Sequence, residues 1–455
     1  MKRFIQKSLI AAISVGIAGV SIQAHATNGY FAHGYGTKAK GMAGAGVAYP
    51  QDSLAAATNP AGMVWIGNRW DLGAEVFAPD RTATTAWGNT AIDPDTGAYD
   101  PANARTYDGN GNGFGESWFL IPEFGYNHMI NNDLSLGVSV FGNGGMNTTW
   151  NGPIYSEGTT GIDTAIDLAQ LFISPTVSWK VNKNHSIGLA VNLIYQRIKL
   201  EGISDFCGFT PGGNPEGCFD GPQTGLSDQG YSGSTGAGVR LGWLGKFDNG
   251  VSVGASWQSR SRMSRFKKYD QLFAENGDFD IPSTWTLGVA FELMPKVNVA
   301  FDVQKINYTE INSVANPNTG WNDLFADGVL DNPLGSDAGP GFGWSDMTVY
   351  KLGFDYQYSK NLVMRAGWNH GSQPVSASEV QFNVLAPAVV EDHLTFGFTW
   401  TMQGGGELSG YFMHALEETV TGTSNSGAPG SAFNAGNGVI GMSQNAFGVT
   451  YGKDF

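Results

Sequence analysis

Beyond residue 68 the chain is written in short alternating runs. Trp70, Leu72, Ala74 and Val76 fall on one face of a strand, and Asp71, Gly73 and Glu75 on the other. Ile187, Leu189, Val191, Leu193 and Tyr195 oppose Gly188, Ala190, Asn192 and Gln196, with Ile194 the one departure. Val251, Val253, Ala255 and Trp257 oppose Ser252, Gly254, Ser256 and Gln258, while Leu394, Phe396, Phe398, Trp400 and Met402 oppose Thr395, Gly397, Thr399 and Thr401. Side chains alternate across a strand, so each run has one apolar face and one small, polar face. A soluble sandwich would carry Lys and Glu on the polar face. Here it carries Gly, Ser, Thr and Asn, which predicts an all-β transmembrane barrel with its apolar face towards lipid.

The connections come in two sizes. Six are short, at 130–133, 182–185, 248–250, 294–296, 359–361 and 404–406. Seven are long, at about 79–115, 142–167, 202–234, 259–282, 312–346, 371–391 and 419–443. They join fourteen antiparallel strands, an even number, as a barrel with both chain ends on the periplasmic side requires. The third strand reads Leu134 to Phe141, and Gly142-Asn143-Gly144-Gly145 follows it with glycines that permit a kink. Trp179, Trp243, Trp285, Tyr358 and Trp368 lie near strand ends, where interfacial girdles belong.

Residues 27–68 do not alternate. They are rich in Gly and Ala, and Asn59-Pro60 is a turn signal because proline biases its predecessor away from the helical region. Small residues let backbone pack on backbone, as a plug inside a larger shell requires. Ahead of this stretch, residues 1–26 read as a secretory signal, with Lys2, Arg3 and Lys7, an apolar run, and Ala24-His25-Ala26 for cleavage. The expected division is a signal at 1–26, a plug at 27–68 and a barrel at 69–455.

Composition agrees: 65 glycines and 14% charged residues do not suit an ordinary soluble domain. A formal net charge of −15 argues against nucleic acid as a partner, which needs a basic surface.

The run Gly41-Met42-Ala43-Gly44-Ala45-Gly46, then Asp52 and Asn59-Pro60-Ala61, resembles the FadL family of outer-membrane transporters for long-chain fatty acids and hydrocarbons. Ile121-Pro122-Glu123, the segment Ile281-Pro282-Ser283-Thr284-Trp285, Phe412-Met413-His414-Ala415 and the aromatic C-terminus extend the resemblance. It implies a 14-stranded barrel plugged by an N-terminal hatch, in the outer membrane of a Gram-negative cell. It implies passive transport of hydrophobic molecules, long-chain fatty acids first, with hatch gating and lateral exit where the third strand kinks. Asn59, Pro60 and Ala61 would border that gap, and Asn28, Gly29, Tyr30 and Phe31 would sit near the ligand pocket. The partners expected are hydrophobic small molecules, outer-membrane lipid and lipopolysaccharide, with the protein acting as a monomer and needing no cofactor. A channel for other hydrocarbons, a porin and an adhesin are the alternatives.

Enzyme chemistry is not expected, since no nucleophile-elbow serine and no H-E-x-x-H occurs. His370 and His393 flank one long loop and could meet near Asp392. Asp108-Gly109-Asn110-Gly111-Asn112-Gly113 matches half of a calcium loop, but position twelve is Phe119 and the acid falls early at Glu116; no metal site is assigned. Cys207 and Cys218 are expected to pair across an external loop, at a gain of about 2–3 kcal/mol, with two free thiols the alternative. By alternation Lys351 and Arg365 face the lumen with Glu292, Asp302 and Asp355. These cations would either hold a substrate carboxylate or brace the barrel through internal ion pairs.

Overall fold

The computed structural model describes residues 27–85, 105–111, 115–156, 159–211, 224–318, 331–422 and 438–455. The predicted signal and Cys218 lie outside them.

Fourteen strands form the wall: β1 (Arg69–Thr85), β2 (Phe119–Met129), β3 (Leu134–Thr149), β4 (Ala165–Lys180), β5 (His185–Glu201), β6 (Ser232–Lys246) and β7 (Ser252–Gln258). They continue as β8 (Thr284–Met294), β9 (Val297–Ile306), β10 (Met347–Ser359), β11 (Leu362–Gly371), β12 (Asp392–Thr401), β13 (Gly406–Thr421) and β14 (Val439–Asp454). Each pairs antiparallel with its sequence neighbours, and β14 closes on β1 from Arg69↔Asp454 to Thr84↔Val439. Two short additions sit on the outer rim, Arg105–Asp108 on β1 and Arg262–Met263 on β6. Closure of β14 on β1 leaves no strand unpaired along its whole length, as a lipid-embedded sheet requires.

The predicted faces hold. Ile187, Leu189, Val191, Leu193 and Tyr195 are exposed on the outside, as are Leu394, Phe396, Phe398 and Trp400. Phe455 stacks on Tyr126 and His128 at the periplasmic seam.

Several strands outrun the predicted boundaries, and β3 does so most. It passes through the Gly142-Asn143-Gly144-Gly145 stretch to Thr149, with a bulge where Gly142 pairs Leu171 and Gly144 pairs Gln170. Asn143 is the extra residue, and bulges bend the strand that carries them.

Residues Thr27 to Trp65 lie inside the wall. Inward glycines make room for them: an added Cβ on Gly188 would lie 2.3 Å from Pro60 C, on Gly254 2.2 Å from Val47 O, and on Gly367 2.5 Å from Met42 C. The glycines come from β5, β7 and β11, on different sides of the barrel. Backbone therefore packs directly on backbone around the plug at these positions.

Candidate functional site: a plugged lumen and an interrupted wall

The body of the plug is held by inward polar side chains. Lys38 Nζ meets Glu407 at 2.6 Å, Lys40 Nζ meets Glu75 at 2.5 Å, and Ser53 N donates to Asp71 at 2.9 Å. Asp302 accepts from Gly46 N at 2.8 Å and Val47 N at 2.9 Å, and Asp355 accepts from Tyr49 Oη at 2.8 Å. Arg365 donates to Gln51 Oε1 at 3.0 Å and Thr399 Oγ1 at 2.7 Å, and Lys351 donates to His33 O at 3.0 Å. Both predicted lumen cations are thus in contact with the plug or its seat. Glu292 is different: it is exposed at the periplasmic rim, where its carboxylate accepts from Lys296 N. Alternation sets a residue's face and leaves its depth open.

Asn59-Pro60-Ala61 sits low against β4, β5 and β6. Asn59 caps the following turn by accepting from Ala61 N at 3.1 Å, and its amide donates to Val47 O at 2.7 Å and Trp243 O at 2.9 Å. Ser178 and Ser186 both donate to Ala61 O. This turn therefore anchors the plug to the wall. Asn59→Ala would remove the cap and both amide contacts, to the plug at Val47 and to the wall at Trp243, and should loosen the plug by about 1–3 kcal/mol. Hydrogen exchange across 47–65 should speed up while the heat-modified gel mobility of the barrel stays unchanged.

The wall is interrupted next to β3. The β2–β3 ladder runs only from Met129↔Ser135 to Phe124↔Val140, although β2 continues to Phe119 and β3 to Thr149. Pro122, which has no N–H to offer a ladder, lies in that unpaired part of β2. The plug's N-terminus takes the edge instead. Ala32 N donates to Asn143 O and Gly145 N to Tyr30 O, each at 2.9 Å, and Phe31 bridges Gly144. A Cβ on Gly144 would lie 1.7 Å from Tyr30 O, so only glycine admits this contact. Ile121, Phe141 and Tyr35 fill the remaining space, with Tyr35 and Phe141 rings 4.8 Å apart and Tyr35 Oη donating to Asn143 Oδ1 at 2.8 Å.

Above this interruption lies a cluster of buried rings from three outer loops and the plug. Tyr30 packs on Tyr308 at 5.2 Å, Phe279 at 5.9 Å and Trp344 at 5.9 Å, and Phe342 and Phe382 continue the cluster. Tyr308 donates to Asn28 O at 2.6 Å and accepts from Tyr30 N at 3.1 Å. Burial pushes the Tyr308 phenol well above its ordinary range, so it stays neutral and can keep donating. Gly29 takes a positive φ of 62° and faces the Tyr308 hydroxyl with no room for a side chain. Met146, Trp344, Ala386 and Met442 border a small void beside these rings. Asn28 Nδ2 and Oδ1 and Tyr30 Oη are buried without partners. Each such orphan costs about 1–3 kcal/mol, which lowers the cost of releasing this segment.

A further lumen cation was not among those expected. Arg240 on β6 is buried and touches Gln258 Oε1 and, at 3.4 Å, Thr58 O. Among the described residues its contacts are to these neutral oxygens and not to a carboxylate, and its Nε and Gln258 Nε2 are both without acceptors. Alternation between Val239 and Leu241 points Arg240 inward as it points Arg365, so its face was readable while its lack of a counter-ion was not.

Other candidates diverge. His370 faces Asp392 at 3.1 Å, whereas His393 turns into the lumen and stacks on His33, so the two flanking histidines do not meet. Asp108 and Asn110 spend oxygens on local contacts to Asn110 N and Arg81 N, and residues 112–114 of the proposed calcium loop lie outside the described residues. Among the described residues no group of three metal-ligating side chains occurs. Cys207 is buried among the loop rings and no described cysteine is free; its pairing with Cys218 stands as a proposal.

A closed fourteen-stranded barrel with an internal plug and an apolar, interrupted wall defines an outer-membrane transport protein. Residues 17–436 match the family model described as outer membrane protein transport protein (OMPP1/FadL/TodX), and the chain belongs to that family. It is thus an outer-membrane transporter of hydrophobic molecules, in a family of channels rather than enzymes. Its fold is similar to that of the P. putida toluene transporter TodX, with a TM-score of 0.65 at 18% identity over 93% of this chain and 99% of that one. A Pseudomonas aeruginosa FadL homologue gives 0.63 at 16% identity over 94% and 99%. The Ralstonia pickettii toluene transporter TbuX gives 0.58 at 16% over 93% and 99%. No curated protein sequence matches the chain.

Proposed function

We propose that the protein is a passive channel for long-chain fatty acids, working as a monomer. The tail enters the ring cluster from the outer loops, gaining about 0.8 kcal/mol per buried CH₂. The rings part, Tyr30, Phe31 and Ala32 leave the β3 edge, and the molecule passes sideways between β2 and β3 into the membrane. The plug body, fixed by its glycine seat and ion pairs, stays in place and keeps the lumen closed to water and ions.

The observation that carries the fatty-acid reading is Arg240. A buried guanidinium without a counter-ion is costly, and a carboxylate could relieve it through charge-assisted hydrogen bonds from Arg240 and Gln258. Arg365 and Lys351, by their contacts, fit the bracing role. An aromatic hydrocarbon is the second reading, supported by the density of rings around Tyr30. Equilibrium binding of a C16 fatty acid and the C16 alcohol to the purified protein separates them. The fatty acid should bind at least about tenfold tighter, roughly 1.4 kcal/mol, at neutral pH. Equal affinities, with toluene competing against both, would favour the aromatic reading.

A further inference from the structure

The sequence Arg260-Ser-Arg-Met-Ser-Arg-Phe-Lys-Lys268 places five cations in nine residues of an otherwise acidic chain. Transport as proposed above does not use them. Met263, Phe266 and Tyr269 are buried and pin this segment to the barrel, while Arg262, Arg265, Lys267 and Lys268 are exposed between them. The backbone is held as well, with Ser264 N donating to Thr235 O at 2.8 Å and Phe266 N to Gly277 O at 2.8 Å, and the Tyr269 hydroxyl donates to Gly230 O at 2.8 Å. Lys268 reaches Gln229 O, and Arg260 is committed to Asp280 and Asp278. Arg262, Arg265 and Lys267 have no carboxylate partner among the described residues.

Their height on the barrel is informative. Arg262 pairs with Ala237 of β6, nine residues above the periplasmic end of that strand at Lys246. Nine residues rise about 30 Å along a strand, or about 23 Å of height at the usual tilt, close to the top of the apolar band. Ala237 is exposed on the outer wall, so its partner Arg262 projects there too. About 13 Å further down β6, Leu241, Trp257 and Trp285 line a shallow apolar groove on the same lipid-facing wall.

We infer that this surface is a binding site for lipopolysaccharide, with Arg262, Arg265, Lys267 and Lys268 taking the phosphates of its lipid A part and the tryptophan-lined groove taking an acyl chain. Charge complementarity carries the assignment. Unpaired cations on a rigid backbone, at the level of the outer-leaflet head groups, meet the anionic glycolipid of that leaflet. Arginine and lysine suit phosphate through charge-assisted hydrogen bonds. The site would also fix how the barrel sits in the asymmetric bilayer.

The test titrates the purified protein with bis-phosphorylated lipid A and with chemically dephosphorylated lipid A, read by native mass spectrometry. The native protein should retain the phosphorylated form at least about tenfold better, since each cation near an anionic surface contributes several-fold. Arg262→Ser/Arg265→Ser/Lys267→Ser/Lys268→Ser should lose that preference while binding fatty acid normally. If that variant does not fold, salt at about 0.5 M should erase the preference in the native protein by screening. Indifference to the phosphates overturns the site. Loss of fatty-acid binding with lipid A retention intact also overturns it, and assigns the cations to substrate steering.

Discussion

Arg240→Met is expected to weaken binding of a long-chain fatty acid by about 30-fold or more, at least about 2 kcal/mol, and to leave the alcohol of equal length unaffected. Methionine replaces much of the arginine stem and removes the charge. The ligand-free barrel should be as stable as the native one or slightly more so, because an uncompensated buried cation is removed. Arg365→Met should behave in the opposite way. It breaks contacts to Gln51 and Thr399 near the carboxylate of Asp355, so it should lower plug stability and affect both ligands alike. Thermal unfolding and the matched ligand pair, measured on both variants, separate head-group binding from bracing. Equal losses for acid and alcohol in Arg240→Met would remove the head-group role from this residue.

Gly367→Val is expected to turn a tight barrel into an ion-conducting one. The first added carbon alone would fall 2.5 Å from Met42 C and 2.6 Å from Ala43 N, both backbone atoms of the plug. Backbone wedged between strands cannot rotate away as a side chain can, so the plug body must leave its seat. Single-channel recording in planar bilayers should show a near-silent native protein and sustained conductance for the variant. Gly367→Ala should lie between them. A folded Gly367→Val barrel as silent as the native one would mean that the glycine seat does not hold the plug.

How much of this was readable from the chain follows from what alternation encodes. It assigns faces, so the lipid-facing tryptophans, the turns and the inward orientation of Lys351 and Arg365 follow directly. Depth is not encoded, which is why Glu292 belongs to the periplasmic rim and not to the lumen network. Gly142-Asn143-Gly144-Gly145 reads locally as a loop because glycine weakens strands. It continues as strand because β4 on one side and Tyr30 to Ala32 on the other supply its hydrogen bonds, and those partners are distant in sequence. Pro122 was a local sign of an unpaired edge, since a proline inside a wall strand needs a place where no N–H is required. The seat of Asn59-Pro60-Ala61 against β5 and β6 depends on close approach to Gly188 and Gly242, and no local pattern announces such a contact.

Lateral exit requires one movement, the release of Tyr30, Phe31 and Ala32 from the β3 edge. Ala32 and Asn143 are neighbours across that contact, joined by a backbone hydrogen bond of 2.9 Å. Partners in an antiparallel contact lie within reach of a disulfide. The doubly substituted protein, Ala32→Cys with Asn143→Cys, should take up labelled fatty acid when reduced and stop when oxidised, with native protein under the same reductant as the control. Uptake at the native rate through a fully cross-linked protein would contradict lateral exit at the β2–β3 gate.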